Sequence, residues 1–89
     1  GVYVTQKVLI HGRKWKLEDI QDNIDWAKQQ NWVFKKYSKQ DEHDHCLICF
    51  WTIFHTVDEE SGFGYYYGGS TWLCNECYKQ FLTPQRLRT

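Results

Sequence analysis

The sequence predicts a small α+β domain in which a β-α-β element, residues 1–40, packs on a second half, residues 41–89, organised around cysteine pairs. Residues 2–10 are rich in β-branched side chains and alternate in polarity, which is typical of a half-buried strand. Residues 16–30 carry apolar side chains at a helical period. The four cysteines fall into two pairs, each with a two-residue gap. A chain of 89 residues has room for one domain with a small core.

The first half is predicted to run strand, turn, helix, strand. After the strand at 2–10, a turn with local positive charge is expected at 11–14. The helix is indicated by one apolar stripe with members three or four positions apart: Leu17, Ile20, Ile24 and Ala27. Acidic residues in its first turn suit the helix dipole. A second strand is predicted over 32–37.

Trp26 lies off the apolar stripe of this helix. At about 100° per residue it points toward the acidic face that carries Asp22 and Asp25. Two interpretations remain open: the second half of the chain covers the indole, or the indole anchors a binding partner. We expect the second half of the chain to cover it, because small domains use most of their surface internally.

The second half begins with a polar connector at 38–45. A strand over 50–57, a turn at 58–62 and a returning strand beginning at 63–67 predict a hairpin between the two cysteine pairs. Apolar residues at helical spacing predict a short final helix: Tyr78, Phe81 and Leu82. Pro84 is expected to end that helix.

The cysteine pairs predict one zinc ion held by four thiolates. The pairs are Cys46 with Cys49 and Cys74 with Cys77, separated by 24 residues. A two-residue gap lets a tight turn aim both sulfurs at one point, and two such turns complete a tetrahedron. Two disulfides, or a redox-active pair, are the alternatives. Secreted disulfide scaffolds of this size usually carry more cysteines, and no thioredoxin-like pattern accompanies either pair.

Four thiolates fill the coordination sphere of zinc, so we expect the ion to be structural rather than catalytic. His43 and His45 stand just before the first pair and are alternative ligands. We expect them to lie in a solvated linker, with at most an indirect role at the metal. His11 and His55 have no visible partner in the sequence.

The segment from Trp72 to Tyr78, Trp-Leu-Cys-Asn-Glu-Cys-Tyr, resembles the Leu-Cys-Asn-x-Cys segment of GATA-type zinc fingers and the corresponding step of LIM-like modules. The order of cysteine turn, hairpin, and cysteine pair opening a helix resembles the treble-clef superfamily over about residues 46–82. The cysteine segments are also distantly similar to small uncharacterised bacterial zinc-finger proteins. The resemblance implies a treble-clef-like zinc unit with a short C-terminal helix. The superfamily includes DNA readers, protein adaptors and purely structural units.

Two departures from the GATA pattern count against DNA recognition. The spacer between the cysteine pairs is longer, and residues 85–88 are only mildly basic where GATA-type fingers carry a basic tail. The formal net charge is zero, with eleven basic and eleven acidic residues, and a nucleic-acid-binding domain usually has a basic excess. Local basic clusters with interleaved aromatics, at 13–16, 35–36 and near Arg88, keep nucleic-acid binding as the alternative.

A non-enzymatic, zinc-stabilised module that binds another protein is therefore the predicted function, and the abundance of tryptophan and tyrosine fits such a surface. We find no Ser-His-Asp arrangement, phosphate loop or open metal triad, so no enzymatic activity is expected. No apolar run approaches the ~20 residues of a membrane span, so no membrane partner is expected. Reduced thiolates favour a cytoplasmic location. Because the chain begins at Gly1 and contains no methionine, we expect a fragment of a longer protein or a trimmed chain.

Overall fold

The computed structural model describes residues 6–83. Within that range the strands are β1 (Lys7–Ile10), β2 (Arg13–Lys16), β3 (Val33–Lys36), β4 (His43–His45), β5 (Thr52–Phe54), β6 (Phe63–Gly68) and β7 (Thr71–Leu73). The helices are α1 (Leu17–Lys28), α2 (Glu59–Gly62) and α3 (Asn75–Cys77), and α3 continues into a π-helical turn (Tyr78–Leu82). The protein is thus a small mixed α and β structure of short elements.

The N-terminal hairpin pairs β1 with β2 in antiparallel register, from Lys7 opposite Lys16 to Ile10 opposite Arg13. The turn is only two residues long, with His11 at φ +50° and Gly12 at φ +77°. The turn predicted at 11–14 was therefore too long, and β2 was missed. Its residues are mostly cationic, so pairing with β1 rather than propensity makes this segment a strand. The predicted residues 2–5 of the first strand lie outside the described range.

Helix α1 follows β2 directly and falls within the predicted helix at 16–30. Ile20, Ile24 and Ala27 are buried, as the apolar stripe predicts. Trp26 is 40% exposed. Its ring meets Tyr67 of β6 edge-on at a centroid distance of 5.3 Å and Trp32 at 6.3 Å. A residue of the second half, Tyr67, therefore contacts the indole, which nevertheless stays partly exposed.

The central sheet has the order β3-β6-β7 and joins the two halves of the chain. The predicted hairpin between 50–57 and 63–67 was wrong. Strand β5 pairs with β4, which lies inside the predicted polar connector, and β6 pairs with β3 and β7. Helix α2 turns the chain between β5 and β6. The predicted β-α-β element was also wrong. This region contains the β1-β2 hairpin, helix α1 and strand β3, which belongs to the central sheet rather than to the sheet of β1.

Two clusters of buried side chains form the interior. The larger packs α1 and the N-terminal hairpin against all four cysteines. The smaller contains Tyr37, Ile53 and Trp72 and lies against the other side of the central sheet. Gly64 of β6 faces this smaller cluster, because a Cβ there would lie 3.2 Å from the Trp72 ring and 3.4 Å from the Ile53 side chain, as well as 2.8 Å from the Leu73 carbonyl oxygen. A larger side chain at this position would push β6 away from β7.

Candidate metal centre

The first cysteine pair lies in a tight turn between β4 and β5. The Cys46 amide donates to the Trp51 carbonyl at 2.8 Å, and the Phe50 amide donates back to the Cys46 carbonyl at 2.9 Å. Phe50 closes the turn in the left-handed region at φ +64°. The Leu47 amide donates to the Trp72 carbonyl at 2.8 Å, which fixes the turn against β7. Backbone hydrogen bonds therefore hold both sulfurs of this pair in place.

The second cysteine pair opens α3. Strand β7 ends at Leu73, and Cys74 then caps the helix: its Sγ accepts a hydrogen bond from the Cys77 amide at 3.4 Å. Amide groups at a helix start have no partner within the helix, and they favour negative charge nearby. The Asn75 side chain donates to the carbonyls of Glu59 and Phe63 and so ties α3 to α2 and β6. This arrangement points Cys74 and Cys77 toward the first turn.

The four sulfurs meet in one buried cluster. All four Sγ atoms lie within 4.8 Å of one another, and the Sγ atoms of Cys49 and Cys74 are 3.6 Å apart. All four cysteines are buried and none forms a disulfide. Four sulfurs around one zinc at ~2.3 Å would be separated by about 3.8 Å, so the cluster fits a single ion. A donor set of four thiolates is the one that zinc favours in closed structural sites.

The four thiols influence one another strongly. Burial opposes ionisation of Cys46, but hydrogen bonds from the other three thiols outweigh it and hold the pKa of Cys46 well below its usual value. Hydrogen bonding with Cys46 and Cys49, together with burial, raises the pKa of Cys74 and of Cys77. Without a cation, the cluster thus accommodates one negative charge readily and resists further ones. A divalent cation would offset that resistance, because metal ligation requires the thiols to be deprotonated.

His11 contacts the cluster from the N-terminal hairpin. Its Nε2 lies 3.3 Å from the Sγ of Cys74 and its ring stacks on Trp51 at 3.7 Å. The Nδ1 atom lies 3.4 Å from a Glu76 carboxylate oxygen, and the His11 amide donates to the same carboxylate at 2.9 Å. Sequence reasoning missed this role, since the pairing spans more than sixty positions. The one hint of the His11 contact in the sequence is that His11 directly precedes Gly12 in a predicted turn.

His43 and His45 lie away from the cysteine cluster, on exposed positions of β4. Their rings are neighbours, 5.0 Å apart between centroids. Within residues 6–83, the four cysteines alone form a group of three or more metal-binding side chains close enough to share an ion. Between the two histidines, Asp44 turns inward and accepts a hydrogen bond from the Tyr37 hydroxyl at 3.1 Å. The histidines were predicted to lie in a linker, whereas they belong to a strand.

Comparison with known proteins found no match to any family model, curated protein or solved structure. Within residues 6–83, no helix has the length and hydropathy needed to cross a membrane.

Proposed function

We propose that this chain is a non-enzymatic module, stabilised by one structural zinc ion, that binds another protein. The observation that carries the partner half of this proposal is an aromatic patch formed by Trp26, Trp32 and Tyr67, here called the Trp26 surface. Each ring contacts the other two, at centroid distances from 5.3 to 6.3 Å. Trp26 is 40% and Tyr67 46% exposed. Clustered, partly exposed tryptophan and tyrosine are typical of interface hot spots.

The zinc half of the proposal is supported by the buried sulfur cluster and by the order of elements around it. A cysteine turn between β4 and β5, the β6-β7 hairpin, and a cysteine pair opening α3 follow one another along the chain. That order supports a treble-clef-like unit. When bound, the ion would cross-link the two turns through Cys46, Cys49, Cys74 and Cys77. Because all four positions are then filled by protein, the proposal assigns no catalysis to the metal and places the protein in a reducing compartment.

A site-specific cross-linking experiment tests the protein partner. A photoreactive phenylalanine replaces Gln29, one turn from Trp26, in the zinc-loaded protein expressed in its native host. We expect one dominant cross-linked protein, which disappears when Trp26→Ala and Tyr67→Ala are added. The control is Phe54→Ala, another aromatic that is 40% exposed but lies on β5. Cross-links that survive both changes at the Trp26 surface would contradict the proposal.

The Trp26→Ala variant also has a stability readout. Because the indole is 40% exposed and touches Tyr67, we expect its loss to lower the free energy of unfolding by about 2 kcal/mol, less than a fully buried tryptophan. Urea unfolding measures this change. A loss below about 0.5 kcal/mol would mean that the fold gains little from the contact with Tyr67.

A nucleic-acid partner is the second candidate, and a specific feature favours it. No acidic residue occurs between positions 6 and 17, whereas Lys7, Arg13, Lys14 and Lys16 all lie in the N-terminal hairpin. Lys7 pairs with Lys16 across the ladder, and Leu9 pairs with Lys14, so three lysines share its outer face. A neutral chain thus has one strongly basic element.

A further inference from the structure

Phe50 is in an unfavourable position for a phenylalanine. It closes the first cysteine turn at φ +64°, a conformation that crowds the Cβ of any residue except glycine. It is also 64% exposed, so its ring gains little from burial. The turn itself needs only the backbone hydrogen bond from the Phe50 amide to the Cys46 carbonyl, which glycine would make equally well. Strain at an exposed aromatic residue is a reason to look for a binding role.

The neighbours of Phe50 supply a second ring and a fixed cation. Trp15 of β2 lies 6.5 Å away between ring centroids, at an angle of 45°. The Arg13 guanidinium carbon lies over the Trp15 ring, 5.0 Å from its centre, so the cation covers one face of Trp15. A cavity of about 190 Å³ opens between these side chains and the first cysteine turn. Phe50, Trp15 and Arg13 are together called the Phe50 site.

We infer that the Phe50 site binds single-stranded nucleic acid, with a base stacked on Phe50 and the backbone near Arg13. The Phe50 and Trp15 rings are inclined at 45°, so a base stacks on the exposed face of Phe50 with Trp15 beside it rather than between the two rings. Each nucleotide joins a flat aromatic face to a phosphate, which matches the exposed Phe50 ring with the Arg13 cation nearby. Lys14 and Lys16 lie on the same strand as Arg13 but on the opposite face of the ladder, so their charge attracts a polyanion to this hairpin at longer range without lining the Phe50 site. A duplex does not fit, because stacking hides its base faces.

This activity is separate from the proposed protein partner, because the Trp26 surface contains none of these residues. The stacking contribution is insensitive to base identity, and at most four cationic side chains lie in the hairpin. A plot of the logarithm of the binding constant against the logarithm of the salt concentration should therefore have a slope no steeper than about −3, since each phosphate contact on a single strand contributes about −0.7. Binding is strongest at low salt and weak at physiological salt.

The test uses the zinc-loaded 89-residue chain and three fluorescein-labelled 12-mers: oligo(dT), an abasic strand with the same phosphates but no bases, and a duplex of oligo(dT) with oligo(dA). Fluorescence anisotropy at low salt should give the tightest binding for oligo(dT). Phe50→Gly should weaken oligo(dT) binding by about tenfold or more and leave the abasic strand unaffected. Its thermal unfolding midpoint should be unchanged or raised, because glycine relieves the strain.

Matched variants separate stacking from charge. Lys14→Glu should weaken binding of both the oligo(dT) and the abasic strand, whereas Lys36→Glu, the same charge change on β3, should affect both less. Phe54→Ala is the aromatic control. The inference fails if oligo(dT) does not bind up to about 100 μM, the weak end of non-specific binding. It also fails if the abasic strand or poly-glutamate binds as tightly as oligo(dT), or if Phe50→Gly leaves oligo(dT) binding intact. None of these outcomes bears on cross-linking at the Trp26 surface.

Discussion

The larger buried cluster contains all four cysteines, whereas the smaller one is built from Tyr37, Ile53 and Trp72 without any of them. The larger cluster draws on the hairpin, α1, both cysteine turns, α3 and Leu73 at the end of β7. The smaller cluster lies against the central sheet, whose ladders provide hydrogen bonds directly. A metal ion at the cysteines would cross-link the larger cluster in the way that the ladders support the smaller one, so we expect a chelator to act directly only on the larger cluster.

Removing the metal should have the largest effect. Structural zinc contributes on the order of 10 kcal/mol, comparable with the whole net stability of a small domain. We expect one zinc per chain by elemental analysis and loss of the circular dichroism of the folded state after chelation. Both clusters should lose amide protection, because Cys46 and Trp72 are bridged by their backbones. If the fold is unchanged after verified metal removal, the proposed dependence of the larger cluster on zinc is wrong.

Substituting one ligand should come next. Cys74→Ser, like Cys46→Ser, removes a thiolate from the cluster, and we expect impaired folding and weakened metal binding. His43→Ala and His45→Ala are the controls, since both residues are exposed and lie outside the cluster; their changes should stay within about 0.5 kcal/mol. Zinc titration measures metal binding, and urea unfolding measures the stability of the cysteine and histidine variants. A histidine that proves essential for metal binding, beside a dispensable cysteine, would contradict the ligand set.

His11→Ala should have a smaller effect that is confined to the metal centre. The change removes the contact with the Cys74 sulfur and the stack on Trp51. Partners that hydrogen-bond a metal ligand typically contribute 10–100-fold to affinity, and we expect a loss in that range. A chelator competition assay measures it, and His55→Ala is the matched control. Equal zinc affinity in the wild type and His11→Ala would show that the imidazole packs against Trp51 without influencing the metal centre.

Tyr37→Phe should have the smallest effect and tests the smaller cluster. It removes the hydrogen bond to Asp44, and we expect a loss of about 1 kcal/mol at neutral pH. Burial, the hydrogen bond and the nearby acidic groups raise the pKa of Tyr37 to about 12. Since an unfolded tyrosine ionises near pH 10, the fold favours the neutral phenol, and this stability is lost as pH rises from about 10 to 12.

Urea unfolding at several pH values compares the wild type with Tyr37→Phe. The difference in their free energies of unfolding should shrink above pH 10. A difference that stays constant up to pH 12 would mean that the Tyr37 hydroxyl ionises as readily in the folded protein as in the unfolded one.

Helix α1 and the grouping of the cysteines were predictable because each has a local signal. The stripe through Ile20 and Ile24 repeats at the helical period, and a two-residue gap defines a tight turn whatever surrounds it. Both signals depend only on residues a few positions apart.

The strand pairing was not predictable, because it depends on partners distant in sequence. Strands β2 and β4 have polar, charged sequences that resemble turns and linkers, and they are strands because β1 and β5 lie beside them. The mistaken hairpin between β5 and β6 followed the usual preference for pairing consecutive strands. His11 has the same difficulty, since only the folded hairpin brings it to Cys74.

The pairing of β3 with β6 has a consequence for how the chain folds. Val33 and Tyr66 are partners in that ladder, whereas β1 and β2 are joined by a two-residue turn. Local hairpins form within about 1–10 μs, but a contact across some thirty residues must first close a long loop against chain entropy. We therefore expect the N-terminal hairpin and the β6-β7 hairpin to form early, and the docking of β3 onto β6 to set the folding rate.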